Sequence, residues 1–172
     1  MDIWPFDGMQ YMNNVYLLIG GNMGNRLQNL HQATGWLQQA CGPVQQVSAV
    51  YETAAWGKTD QPAFLNQAIQ LHTWLSPRDL IKTILSIEEK MGRCRGEKFG
   101  PRIIDIDIIF YNDAIIGEPD LTIPHPHMQN RRFVLAPLQQ IAGDVVHPVL
   151  QKTVTQLLDA CTDPLPVQKF TT

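Results

Sequence analysis

Asp105 and Asp107 stand two residues apart in the run Gly100-Pro101-Arg102-Ile103-Ile104-Asp105-Ile106-Asp107-Ile108-Ile109-Phe110. A β-branched, apolar run of this kind reads as a buried strand. On a strand, residues i and i+2 point to the same face. Two carboxylates side by side among dry neighbours repel each other and lose hydration, so a cation has to compensate them. An arginine, Arg93 or Arg102, would do so, and so would a divalent metal. Magnesium suits the second case, because it takes one or two protein carboxylates and leaves positions for water and phosphate. Zinc would call for His or Cys partners.

Other residues point toward the same kind of chemistry. Arg93, Arg95, Lys98 and Arg102 crowd the loop just before this strand, in a chain whose net charge is −3. Such a run is either a solvated charge cluster or a set of phosphate ligands, since guanidinium forks match phosphate oxygens. Glu88 continues the buried stripe of Ile81, Ile84 and Leu85 where a polar residue should face water. It is either an acid at a helix end paired with Arg93 or an acid aimed into a site. Pro124-His125-Pro126-His127 lacks a third ligand at zinc spacing, which favours a turn whose histidine hydrogen-bonds a ligand. Gly20-Gly21-Asn22-Met23-Gly24-Asn25 is not the dinucleotide fingerprint and reads as a turn and helix cap. Trp56, Phe64 and Phe133, near loop boundaries, belong to the core or to a clamp for a planar ring.

The elements that must position these residues follow from periodicity and turn signals. Val15–Ile19 reads as a strand. Asn25 opens a helix with Leu27, Leu30, Thr34, Leu37 and Cys41 on one face, and Gly42-Pro43 ends it. Two strands are expected over 44–52 and 64–73. A second helix runs from the Ser76-Pro77 start to Met91, followed by the Asp-Ile-Asp strand. Residues 121–124 are extended, 128–142 are helical with a bend or interruption at Pro137, and 153–161 form a short helix. The order is βαββαβ, an α+β ferredoxin-like pattern with one antiparallel sheet and helices packed on it. Residues 1–14 read as a loose leader and 15–172 as one domain. A length of 172 residues suffices for a real core. No apolar run reaches membrane-spanning length, and the leader lacks secretory features. The acidic balance argues against nucleic-acid binding. Three scattered cysteines fit reduced thiols in the cytoplasm.

Thr53–Gly57, Phe64-Leu65-Asn66, Glu88–Arg95, Gly100–Asp107 and Leu121–Phe133 together resemble the 6-hydroxymethyl-7,8-dihydropterin pyrophosphokinase family of folate biosynthesis. The similarity runs from Val15 to Pro148, and Gly-Pro-Arg followed by Asp-x-Asp is its most specific piece. The resemblance implies a ferredoxin-like fold and transfer of the β,γ-pyrophosphate of ATP to the pterin hydroxymethyl group, with release of AMP. It implies two Mg²⁺ ions on Asp105 and Asp107, and phosphate binding by the catalytic Arg93 and Arg102. Glu88, Arg95, Phe99, Thr122, His125 and Arg131 would serve the nucleotide. Phe64 and Phe133 would sandwich the pterin, whose edge Thr53, Asn66 and the backbone near Ala54 and Trp56 would read. Loops 54–63 and 93–99 would close over the substrates. The chain departs from the family's best-known form at Ala54-Ala55, Phe64, Phe99, Leu85 and Asp120; the last two bear on the adenine and ribose contacts. A monomer is expected, with a dimer as the alternative. A metabolite-binding module without turnover and a metal-dependent nuclease are the rival classes. The paired acids and arginines speak against the first, and the acidic balance against the second.

Overall fold

β1 (Asn13–Gly21) is apolar at every position from Val15 to Ile19 because both of its faces are covered. A computed structural model describes residues 11–55, 57–94, 96 and 98–172. β1 is followed by α1 (Arg26–Ala40), β2 (Val44–Val47), β3 (Tyr51–Thr53), β4 (Phe64–Thr73), α2 (Pro77–Lys90) and β5 (Asp105–Tyr111). Then come β6 (Ile116–Glu118), β7 (Leu121–Ile123), a 3-10 turn (Met128–Asn130), α3 (Arg132–Ala142), α4 (Val154–Asp159) and β8 (Val167–Lys169). The main sheet has the order β5-β1-β4-β3-β8, with β2 also on β4, and every pairing in it is antiparallel. The chain is thus α+β, and β6 and β7 form a separate hairpin.

Alternation along the strands divides the core in two. Val15, Leu17, Ile19, Ile106 and Ile108 pack under α1 and α2, against Leu30, Leu37, Leu80 and Ile84. Tyr16, Leu18, Ala68 and Phe110 pack under α3 and α4, against Leu135, Leu138, Val154 and Leu157. Each such side chain contributes roughly 1.5–3 kcal/mol by leaving water. A β-bulge interrupts the β1–β5 ladder: Tyr16 faces Phe110 but Leu17 faces Ile108. The residue between, Ile109, joins Phe110 in the core beneath α3 and α4.

The caps of α1 and α2 are those the sequence signals. Asn25 accepts the Gln28 N–H at 3.1 Å, and Ser76 accepts the Asp79 N–H at 3.1 Å. Other expectations need correction. β1 starts at Asn13, so the last two residues assigned to the leader belong to the sheet, paired with Thr73 and His72. Residues 1–10 of the leader lie outside the described residues. The strand expected over 44–52 is broken at the buried Ser48. There the hydroxyl oxygen, rather than a backbone carbonyl, accepts the Ala68 N–H at 2.9 Å. Thr34 is only half-buried, and Ala33 takes its place in the core.

The helix expected over 128–142 is a 3-10 turn, an extended Arg131, and then α3. Its start is set from far away, since Asp163 accepts the Arg132 N–H at 3.0 Å. Pro137 does not interrupt α3. The cost of a proline inside a helix, about 3 kcal/mol, is offset by burying Val134, Leu135 and Leu138. β6 and β8 were not anticipated. Each has three residues, too few to show a period.

Candidate active site

Strands β1, β4 and β5 meet at one end of the sheet. Gly20, near the end of β1, lies between Asn66 on β4 and Asp105 on β5. A Cβ on Gly20 would collide with Asn66 Oδ1, so any side chain there displaces Asn66 from the site. The Gly-rich stretch therefore serves close approach, then a turn at Gly24 with φ +66° and the Asn25 cap. Above it, on the α3 side of the sheet, a cavity of about 280 Å³ opens.

The cavity gathers most of the residues singled out from sequence. Arg93, Arg102, Asp105, Asp107, His125, Arg131 and Phe99 line it together with Thr53, Ala54, Phe64, Asn66 and Phe133. Asp105 sits between two guanidinium groups, Arg93 at 2.7 Å and Arg102 at 2.8 Å. Arg93 also pairs with Glu88 at 2.6 Å. The cation that compensates Asp105 here is thus arginine. Asp107 makes no ion pair among the described residues. Burial, then the charges of Asp105 and Glu88, push its carboxyl well above the usual range, and Arg131 and Arg93 offset this only in part.

Glu88 and Thr122 do not line this cavity. Glu88 is buried at the end of α2, where it accepts the Ile106 N–H at 2.7 Å. It joins α2, Arg93 and β5 into one unit. Burial raises its pKa and Arg93 works against that. Thr122 is exposed on β7, with its hydroxyl donating to Glu118 O at 3.4 Å. Arg95 and Trp56 lie outside the described residues.

His125 accepts the His127 N–H on Nδ1 at 3.2 Å. That contact requires a lone pair on Nδ1 and leaves Nε2 as the donor. Burial, then the charges of Arg131 and His127, lower the pKa of His125 to about 4, so the ring is neutral at pH 7. Asn66 donates to Thr53 Oγ1 at 3.3 Å, and both are buried. The Arg102 guanidinium lies 5.5 Å from the Phe64 ring centre, and that of Arg131 lies 5.9 Å from Phe133. Phe99 has a left-handed backbone, φ +62°, rare for a bulky residue.

Two residues of the site escaped sequence reasoning. Leu18 forms part of the cavity wall. It lies two residues before Gly20 on the face shared with Asp105 and Asp107, which the period of the strand could have revealed. Asn22 is buried and ties two loops together. It accepts the Arg102 N–H at 2.9 Å and donates to Gln61 and Pro62, each at 3.0 Å. Gln61 in turn donates to Phe99 O at 2.7 Å. An asparagine directly after Gly-Gly looks like ordinary turn composition, which hid it.

The donor set suits an anion and a hard cation together. Among the described residues no three His, Cys, Asp or Glu side chains converge as a metal cage. An ion held by Asp105 and Asp107 would complete its shell from substrate and solvent oxygens, as magnesium does. Arg102 Nε is buried with no acceptor among the described residues.

A family model described as 7,8-dihydro-6-hydroxymethylpterin-pyrophosphokinase (HPPK) matches residues 16–143. A 2-amino-4-hydroxy-6-hydroxymethyldihydropteridine pyrophosphokinase of Synechocystis sp. is 43% identical over 166 residues, covering 95% of this chain and 85% of that protein. The protein of the same name from Aquifex aeolicus is 37% identical over 145 residues, covering 84% of this chain and 90% of its own. A solved Plasmodium falciparum HPPK-DHPS chain with pteroate superposes with a TM-score of 0.72 at 19% identity over 88% of this chain, a likeness of fold. The chain spans 44% of that larger molecule's length. From the span of the match and the identity of these relatives, the chain belongs to the 7,8-dihydro-6-hydroxymethylpterin pyrophosphokinase family.

Proposed function

We propose that this chain transfers pyrophosphate from ATP to the hydroxymethyl group of 6-hydroxymethyl-7,8-dihydropterin, releasing AMP, in folate biosynthesis. One observation carries the reading: a single cavity joins two neighbouring carboxylates, three arginines and three phenylalanines, Phe64 and Phe133 among them. The acids suit metal, the arginines phosphate, and the rings a flat acceptor. The acceptor hydroxyl oxygen attacks the β-phosphorus and gives up its proton to the medium, the bond from that phosphorus to the α,β-bridging oxygen breaks, and AMP departs. Such transfer needs positioning and charge neutralisation more than a protein nucleophile.

Asp105 and Asp107 would hold the Mg²⁺, two ions in this reading, and the bound metal would supply charge neutralisation at the phosphoryl oxygens. Arg93 and Arg102, relieved of Asp105, turn to the phosphates and stabilise charge as the bridge breaks. Arg131 and the neutral Nε2–H of His125 bind the nucleotide, a task assigned also to Arg95, Phe99 and Thr122. Glu88 acts by holding Arg93. Phe64 and Phe133 clamp the pterin. Asn66, Thr53 and the chain around Ala54 and Trp56 read its edge.

The strand order β5-β1-β4 with β2 and β3 outside it supports placing the fold in the ferredoxin-like class. Three free cysteines suit a reducing cytoplasm. Among the described residues no helix is long and apolar enough to cross a membrane. Protein incubated with ATP, Mg²⁺ and the reduced hydroxymethylpterin is expected to yield AMP. ADP would mean a simple kinase, and no nucleotide product would mean a binding module.

A further inference from the structure

The C-terminal strand β8 falls outside the span 16–143 that the family model matches, yet it pairs with the strand that leads into the site. β3 has only three residues, and its last, Thr53, lines the cavity, as does Ala54 after it. On one side β3 is held by β4, and on the other by β8 through Tyr51↔Lys169, Glu52↔Gln168 and Thr53↔Val167. One residue further on, the Phe170 N–H donates to Val50 O at 2.8 Å. The Phe170 ring lies 5.6 Å from the guanidinium of Arg26. Arg26 in turn reaches both ends of the 54–63 connection, pairing with Glu52 at 2.7 Å and donating to Ala63 O at 2.9 Å.

We propose that β8, Phe170 and Arg26 form a positioning device for the pterin end of the cavity. They fix Thr53 and Ala54 on one side and the entry to Phe64 on the other, without touching substrate. A three-residue edge strand is weakly held by itself. Backing it with a second strand and a cation–π contact keeps its last residue in register with Asn66. The nucleotide end, built on Arg93, Arg102 and β5, has no part in this device. The inference rests on placing the pterin between Phe64 and Phe133.

The test compares Phe170→Ala, Phe170→Tyr and Arg26→Gln in the full chain, with Phe133→Ala as a control on the site itself. Steady-state kinetics gives the KM for each substrate, and thermal melting reports folding. Phe170→Ala and Arg26→Gln are expected to raise the pterin KM about fivefold or more while the ATP KM moves less than about twofold. Phe170→Tyr keeps a ring over Arg26 and is expected to restore the wild-type pterin KM. An unchanged pterin KM in a folded Phe170→Ala protein would overturn the inference. Parallel losses for both substrates would also overturn it, because they mean a general structural role. If Phe133→Ala leaves pterin binding intact, the placement of the pterin is what fails.

Discussion

Asp105 and Asp107 share a strand face but not an environment. Asp105 is neutralised by Arg93 and Arg102, whereas Asp107 is buried, and the charges of Asp105 and Glu88 on it are offset only in part by Arg131 and Arg93. Replacing Asp107 with Ala is expected to remove at least ~3 kcal/mol of transition-state stabilisation, by analogy with other charge-stabilising groups. AMP release near the wild-type rate in saturating Mg²⁺ would contradict that role. The same residue gives a second, opposite expectation for the metal-free protein. Its carboxyl is pushed up to about 8 in the folded state, against about 4 in the unfolded chain. Between those values the folded state holds a proton that the unfolded state has lost, so stability falls as pH rises toward 8. Asp107→Asn is expected to flatten that decline and raise stability at pH 8 by roughly 1–2 kcal/mol. Urea unfolding of both proteins across the range, in chelator, is the measurement; identical pH profiles would count against it.

At the scale of elements, the site depends on loops being held to one another. Asn22 is expected to matter more than its turn-like surroundings suggest. Asn22→Ala leaves the Arg102 N–H and the Gln61 side chain without their buried partner. A loss of about 1–3 kcal/mol follows from that, together with a raised KM for both substrates. Denaturant midpoints and initial rates would show it, and unaltered values of both would refute it. What was legible at this scale, and what was not, depends on the distance over which each signal acts. The Ser76 and Asn25 caps, the full extent of β4 and the shared face of Asp105 and Asp107 follow from neighbours a few residues apart. The start of α3 did not, because Asp163 sets it from 31 residues away. The break at Ser48 was hidden because serine is ordinary in a strand until its hydroxyl takes a place in the ladder. That Asp105 would meet both Arg93 and Arg102 was not legible from spacing, because the fold brings a loop and a strand together to make the pair of contacts. For the same reason Glu88 could be read as buried, but the stripe it joins is Leu80, Ile84 and Ile87, with Leu85 exposed, and its partner, the Ile106 N–H, could not be assigned.

For the whole molecule, three of the cavity's arginines carry positive charge beside two carboxylates, so metal and triphosphate are complementary guests. ATP and Mg²⁺ supplied together are therefore expected to raise the melting temperature, and chelator to abolish the rise. At a hundred times the dissociation constant the gain is about 2.7 kcal/mol. Differential scanning calorimetry with and without chelator provides the measurement; a shift that survives chelation would detach nucleotide binding from the metal.

The bulge at Ile109 sets a parity for the strand that carries the acids. Phe110 lies beneath α3 and α4, and plain alternation back from it would put Ile108 and Ile106 on that side too. Asp107 and Asp105 would then point under α2, into the driest part of the protein. Because Ile109 uses an extra step on the α3 side, the count shifts by one and both acids face the cavity. A single-residue deletion between Asp107 and Phe110 therefore acts like a frameshift in side-chain space, exchanging the interior of the protein with its chemistry. The length of this stretch constrains the site as much as the identity of its two acids does.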